Sequence, residues 1–274
     1  MKNLRTILTL MMVAALALSL AACGGNDIAV DYSQSVDGAL VVAEAGSAGE
    51  ELATGDEFFK NAQFTAVDSM ATALLDVKSG TSDVAIVDYV TSIGSIGEGT
   101  DFVDLAVVEG KDFNPEEYGI AFRKGSDITP AVNAAIAELA TEGKMDEIAD
   151  AYKLGDLIIK DGAAFNDEIT EGDLAYVKEK GELIVGITLF APMNYYEGEE
   201  LIGFETEFAK AVCEKLGVEA KFVEINWNSK EIELNAKNID CIWNGMTITD
   251  ERLENMSISV PYMQNKQVMV SKVK

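Results

Sequence analysis

The order of apolar runs along the chain predicts an α/β protein of two lobes. Three observations carry that expectation. Short buried runs such as Val84–Val87 alternate with one-faced helical repeats such as Met70, Leu74 and Val77, as parallel strands and their crossover helices do. Two segments echo each other, Leu75-Asp-Val-Lys-Ser-Gly-Thr-Ser-Asp83-Val-Ala-Ile-Val-Asp88 and Leu234-Asn-Ala-Lys-Asn-Ile-Asp240-Cys-Ile-Trp-Asn244. Each is a helix end, a turn with an aspartate, and a buried strand that stops on a polar residue. Residues 155–172 break the periodicity with glycines and acids and read as a linker between the two units. Two such units facing each other place Asp88 and Asn244/Arg252 on opposite walls of one cleft.

Composition narrows the chemistry. The 274 residues suffice for one or two domains, and 48% hydrophobic with 25% charged residues is globular. The formal charge of −26, which becomes −28 if Lys2 and Arg5 leave with a leader, argues against nucleic acid as a partner. There is no histidine, so Ser-His and Cys-His dyads and the commonest metal ligand are absent. Three cysteines are too few for a disulfide framework or a zinc site, and no metal or cofactor is expected. Cys213 and Cys241 fall in one lobe as two buried thiols, with a bridge left open.

Taken in order, residues 1–22 have a positive start (Lys2, Arg5) and an apolar run from Ile7 to Leu20. Small residues then precede Cys23, the pattern of a secretory leader. Residues 23–37 are small and polar, a tether. Val41–Ala43 is a strand, and Gly46-Ser47-Ala48-Gly49 turns into a helix near Glu50. That turn either offers backbone N–H groups to a ligand or is a plain turn. Phe64–Val67 is a strand, and the helix through Met70, Leu74 and Val77 stops at Ser79-Gly80. Ser82–Val87 runs into Asp88, which either meets a ligand ammonium or caps the next helix. Phe102–Val108 and Tyr118–Phe122 are strands, and 129–153 carries two helices about Gly143.

The pattern resumes at Leu183–Val185. Phe204, Phe208, Val212 and Leu216 line one helical face that ends at Gly217. Lys221–Ile225 is a strand, Ser229 caps a short helix, and Gln267–Val270 is a last strand. Before it stands Asp240-Cys-Ile-Trp-Asn-Gly-Met-Thr-Ile-Thr-Asp-Glu-Arg252: a buried strand, a polar turn, and a helix start at Thr249. Carboxylates fall in the first helical turn, followed by a guanidinium shaped to grip a carboxylate. The stretch is either a small-anion site or an ordinary strand–turn–helix with Arg252 in a surface pair.

Segment 182–272 resembles the opening half of the polar amino-acid-binding proteins that serve ABC importers. The resemblance rests on Leu183-Ile-Val-Gly-Ile, Phe190-Ala-Pro192, Gly203-Phe204-Glu-Thr-Glu207, Asn226-Trp227, the 240–252 motif and Ser259-Val-Pro-Tyr262. Segment 39–154 resembles the closing half of the same family. Its marks are Gly46-Ser47-Ala-Gly49, Ser82–Asp88, Glu117–Lys124 and the helices ending in Ala151-Tyr-Lys. The halves are reversed in order, so the resemblance implies a circularly permuted two-lobed periplasmic-binding-protein-like fold of type 2. It implies hinges at 114–118 and 263–266. Lobe 2 is then 38–113 plus the terminal strand 267–272, and lobe 1 is 119–262 with a permutation linker at 155–181.

The resemblance also implies roles. Phe190 and Trp227 stack on a ligand side chain, or are core residues, as large aromatics usually are. Asn244, Gly245 and Thr247 bond the ligand's amino and carboxylate groups. Arg252 clamps the carboxylate, the N–H groups of Ser47 and Ala48 meet it from lobe 2, and Asp88 takes the ammonium. Thr188 stands where many relatives carry an acid. Glu44 falls where others face the ligand side chain; it suits a cationic side chain, or is a solvated rim charge. Leu20-Ala-Ala-Cys23 resembles a lipobox, which implies a lipid on Cys23. The expectation is a monomeric, lipid-anchored, extracytoplasmic receptor that passes one amino acid to an ABC permease and is no enzyme. A small-carboxylate dehydratase on the same fold, or a ligand sensor without transport, is the rival.

Overall fold

Two β-sheets joined by a pair of crossover strands organise residues 31–273, the part of the chain that the computed structural model describes. The leader and Cys23 lie outside the described residues. Residues 32–37, expected as tether, are docked instead. Val36 is buried and Tyr32 packs beside the cluster that contains Val41, Phe59 and Met269. Covering these two apolar side chains outweighs leaving them in water.

The chain begins with β1 (Leu40–Glu44), after which the Ser47 hydroxyl accepts the Glu50 N–H and caps α1 (Ala48–Gly55). Next come β2 (Gln63–Val67), α2 (Met70–Ser79), β3 (Val84–Asp88), α3 (Tyr89–Ser95) and β4 (Leu105–Val107). The single strand expected over 118–122 is divided into β5 (Pro115–Tyr118) and β6 (Ala121–Arg123). Between them the Gly119 N–H turns to the Met246 carbonyl and the Ile120 N–H to the Ser259 hydroxyl, so the ladder changes partners. Helices α4 (Ile128–Thr141) and α5 (Lys144–Ala151) follow.

The linker expected over 155–181 is bound to its own lobe along its length. The Ile159 N–H donates to the Tyr262 carbonyl, Thr170 to Gly125, and Lys124 reaches Asp167 at 2.6 Å. Its last part is a helix, α6 (Asp173–Lys180), whose start is capped from a distance by the Asp127 carboxylate on the N–H groups of Gly172 and Leu174. No local pattern announces a cap 45 residues away in sequence.

Then come β7 (Glu182–Ile187), the hairpin β8 (Tyr195–Glu197) and β9 (Glu200–Ile202), and α7 (Phe204–Leu216). Gly217 ends α7 at φ +73°, the left-handed geometry that a side chain resists. Ser229 follows β10 (Glu219–Glu224) and precedes α8 (Lys230–Asn235), but it is not the expected side-chain cap: its hydroxyl donates to the Asn226 carbonyl. The chain closes with β11 (Cys241–Ile242), α9 (Asp250–Asn255), β12 (Met256–Ile258) and β13 (Met263–Lys272).

The first sheet has the order β2-β1-β3-β13-β4, with β1, β2 and β3 parallel and β13 running against β3 and β4. The second has the order β10-β7-β11-β6-β12, parallel through β10, β7 and β11. The molecule is thus a two-lobed α/β structure. One strand, β13, belongs to the first sheet through residues 267–272. Through Met263–Lys266 it pairs with β5 in the crossover.

Lobe 1 is closed around aromatic contacts. Phe208 lies edge-on to Trp243 at 5.5 Å and 5.6–5.8 Å from Phe204 and Tyr262, all four buried. Cys213 and Cys241 are buried free thiols, and burial pushes Cys213 up to about 12. Truncation of Phe208 leaves a cavity among three rings that cannot collapse. Phe208→Ala is expected to cost about 3–5 kcal/mol, measured as a lower urea midpoint with an unchanged slope.

Candidate functional site

The carboxyl ends of the parallel strands in both sheets converge on the crossover. Register places Val42 beside Ala85, so Glu44 and Asp88 end adjacent strands of the first sheet. From the second sheet come Asn244, Gly245, Thr247 and Arg252 after β11, with Phe190 and Trp227 from neighbouring loops. Glu44, Asp88, Asn244, Thr247, Arg252, Phe190 and Trp227 are all buried.

At the centre, two amides bridge two carboxylates. Asn265 Nδ2 donates to Asp88 Oδ1 at 2.8 Å and to Glu116 Oε2 at 2.9 Å. Gln267 Nε2 donates to the same pair at 2.5 and 3.0 Å, and the Thr247 hydroxyl adds a third bond to Glu116. A third acid, Glu205, accepts from the Gly245 N–H at 2.7 Å, from Asn194 at 2.8 Å and from the Tyr262 hydroxyl. Burial is the main cause that raises Asp88 and Glu205. It pushes Glu205 up to about 7 against its hydrogen bonds, and Asp88 upward together with the negative charge of Glu116. Glu44 rises to about 8 through burial and the Asp88 charge, with Lys230 pulling the other way.

Two cations cross from lobe 1 to the turn before α1. Arg252 Nη1 donates to the Thr247 carbonyl at 2.7 Å, and Nη2 to Glu51 at 2.9 Å and to the Gly46 carbonyl at 3.4 Å. Lys230 Nζ donates to the same Gly46 carbonyl at 2.9 Å and sits 4.9 Å over the Trp227 ring; burial lowers it to about 8. The lobes also touch where Ser95 donates to the Ala191 carbonyl, and a Cβ at Gly94 would fall 2.5 Å from Pro192 N.

Several expected ligand groups are committed within the protein. Asn244, expected to face a ligand, spends its amide on Thr188: Oδ1 accepts from the Thr188 N–H and hydroxyl, and Nδ2 donates to the Thr188 carbonyl. It therefore positions the loop that leads to Phe190. The Gly245 N–H goes to Glu205, and the Ser47 N–H returns to the Glu44 carbonyl at 3.2 Å. Thr247 serves both Glu116 and Arg252. Ala48 lines a cavity of about 440 Å³ with Glu51, Glu116, Thr247 and Gln267. The aromatics stand in core clusters, Phe190 in that of Trp243 and Tyr262, and Trp227 in that of Leu234 and Met256.

Sequence reasoning missed Glu116, Glu205, Lys230, Asn265 and Gln267. Glu205 had a signal, because an acid next to Phe204 and one turn before Ala209 shares their buried face. Among the described residues no cluster suits a metal ion and no helix is long and apolar enough to cross a membrane.

Comparison with known proteins now bears on this geometry. Residues 183–274 match the family model of bacterial extracellular solute-binding proteins, family 3. The match covers about a third of the chain and none of the residues before β7. Among curated relatives, the L-cystine-binding protein TcyJ of Escherichia coli (strain K12) is 39% identical over 105 residues, 37% of this chain and 40% of the relative. The arginine-binding extracellular protein ArtP of Bacillus subtilis (strain 168) is 35% identical over 94 residues, 34% of this chain and 37% of the relative. Among solved structures, arginine-bound domain 1 of TmArgBP is 31% identical with a TM-score of 0.33, covering 36% of this chain and 84% of that one. The chain thus spans about two fifths of the curated relatives' length. The family segment carries Phe190, Glu205, Trp227, Lys230, Asn244–Arg252, Asn265 and Gln267; Glu44, Asp88 and Glu116 lie outside it.

Two outcomes follow from the geometry. Gly94→Ala forces a methyl into the Ala191–Pro192 backbone, so it should weaken contact between the lobes while each lobe stays folded, read as a larger radius by small-angle scattering. Acids raised in the fold bind protons that the unfolded chain has released, so between about pH 4.5 and 8 stability falls as pH rises. Lys230, lowered in the fold, acts in the opposite sense and only above about pH 8. The melting temperature of the empty protein is expected to be higher at pH 5 than at pH 8, with a smaller difference in Glu205→Gln.

Proposed function

We propose that this chain is an extracytoplasmic receptor that closes its lobes over one amino acid and presents it to the membrane subunits of an ABC importer. The observation that carries the reading is a guanidinium on one wall and a carboxyl on the other. Arg252 is buried and already gripping a carboxylate, that of Glu51, while Asp88 ends β3 of the facing lobe. An α-amino acid presents the complement of that pair, a carboxylate beside an ammonium. Arg252 and the start of α1 at Ser47 and Ala48 take the ligand carboxylate, with Thr247 orienting Arg252. Asp88 takes the ammonium, and Phe190 and Trp227 flank the side chain, with Gly245 and Asn244 fixing the loops that carry them.

Closure is driven by differential contact, because ligand bonds from both walls exist only when the lobes meet. The relatives named for cystine and arginine support binding rather than turnover. In this reading the two halves are circularly permuted, the hinges lie at 114–118 and 263–266, and a lipid on Cys23 anchors a monomer to the outer face of the membrane.

The test is a thermal-shift screen of the purified protein against the common amino acids with cystine and ornithine. A binder at a hundred times its Kd stabilises by about 2.7 kcal/mol, and Arg252→Ala and Asp88→Ala should abolish that shift. Absence of a shift with every amino acid overturns the reading.

A further inference from the structure

We propose that Glu44 anchors a positively charged ligand side chain, so that the receptor selects amino acids ending in a guanidinium or an ammonium group; this rests on the amino-acid-binding reading above. Glu44 is 2% exposed, and its Oε1 has no hydrogen-bond partner. A buried carboxyl oxygen without a donor is costly, and here the fold leaves it so at the carboxyl end of β1. Glu44 ends β1 next to the strand that ends on Asp88, and one of the charges that act on it, Lys230, comes from the opposite lobe.

The neighbours cannot satisfy it. Asn265 and Gln267 give their amide protons to Asp88 and Glu116. Lys230 is engaged by the carbonyls of Gly46 and Trp227, and Arg252 by Thr247, Glu51 and Gly46. The Tyr118 hydroxyl, buried in the same region, is directed at Asp88 and faces the Asp88 and Glu116 charges. Of the three acids at the end of the first sheet and the crossover, Asp88 is assigned to the α-ammonium and Glu116 is tied by three donors. Glu44 is the one left with an open acceptor. A guanidinium or ammonium supplies both the missing donor and the missing charge, whereas a neutral side chain supplies at most the donor.

The empty protein holds Glu44 largely protonated near neutral pH, because burial and Asp88 raise it to about 8. A cation docking there favours the carboxylate, so the proton leaves to solvent as the ligand binds.

The experiment is isothermal titration of the full protein at pH 7 with L-arginine, L-lysine, L-glutamine and L-cystine, in two buffers of different ionisation enthalpy. The expected result is tighter binding of arginine or lysine than of glutamine and cystine, with net proton release for the cationic ligands alone. Glu44→Gln should weaken the cationic ligands by about tenfold to a hundredfold, the range for a lost hydrogen bond to a charged group. Glutamine should change by less than about threefold on the same scale. Glu44→Asp, which keeps the charge, should retain the preference.

Equal binding of arginine and glutamine by the wild-type protein, or equal losses for both in Glu44→Gln, overturns the side-chain assignment and leaves the receptor reading standing. Failure of all four to bind overturns the assignment; the receptor reading then falls only if Arg252→Ala and Asp88→Ala also leave the thermal-shift screen unchanged. The wild-type proton release needs no variant, so a poorly folding Glu44→Gln does not remove the test.

Discussion

The antiparallel pairing of Pro115–Tyr118 with Met263–Lys266 is the contact on which the rest of the molecule depends. Among the described residues it alone carries continuous backbone between the two sheets, and it brings Glu116, Asn265 and, one pleat further, Gln267 to the place where the strand ends converge. The polar side chains of the crossover are therefore the floor of the cleft. A movement of one lobe against the other bends the same strands whose amides keep Asp88 and Glu116 apart.

Burying acids in this way is expensive, and the structure offsets it unevenly. Asp88 and Glu116 share amide donors, Glu205 receives a backbone N–H and two side-chain donors, and Arg252 is bonded on both arms. Replacing any one partner leaves a charge without its donor, which costs more than the bond itself contributes. Glu44 is the exception among these acids, with one carboxyl oxygen left without a donor.

Much of this was legible in the chain. Spacing of Phe204, Phe208 and Val212 gave a helix face, Gly217 its end, and Thr249 a helix start with Asp250 and Glu251 in the first turn and Arg252 after them. The strand ends at Glu44 and Asp88 were visible as apolar runs that stop on an acid. What was not legible depends on partners far away in sequence. The helix over 173–180 is capped by Asp127, and Asn265 and Gln267 find Asp88 more than 170 residues away. The destination of the Asn244 amide is of the same kind: the motif places the residue at the crevice, but only the course of the Thr188 loop decides that its bonds turn inward.

Glu51 is half exposed at the rim, yet its carboxylate occupies the arm of Arg252 that faces lobe 2. An incoming carboxylate at that arm is therefore exchanged for one the protein already carries, not added to a bare cation. The affinity such a ligand displays is a difference between two similar bonds, lowered by the tethered competitor. The same competitor eases departure, because the guanidinium is handed from one carboxylate to another and never stands desolvated and alone. Under the receptor function proposed above, modest grip and rapid hand-over come from the same side chain.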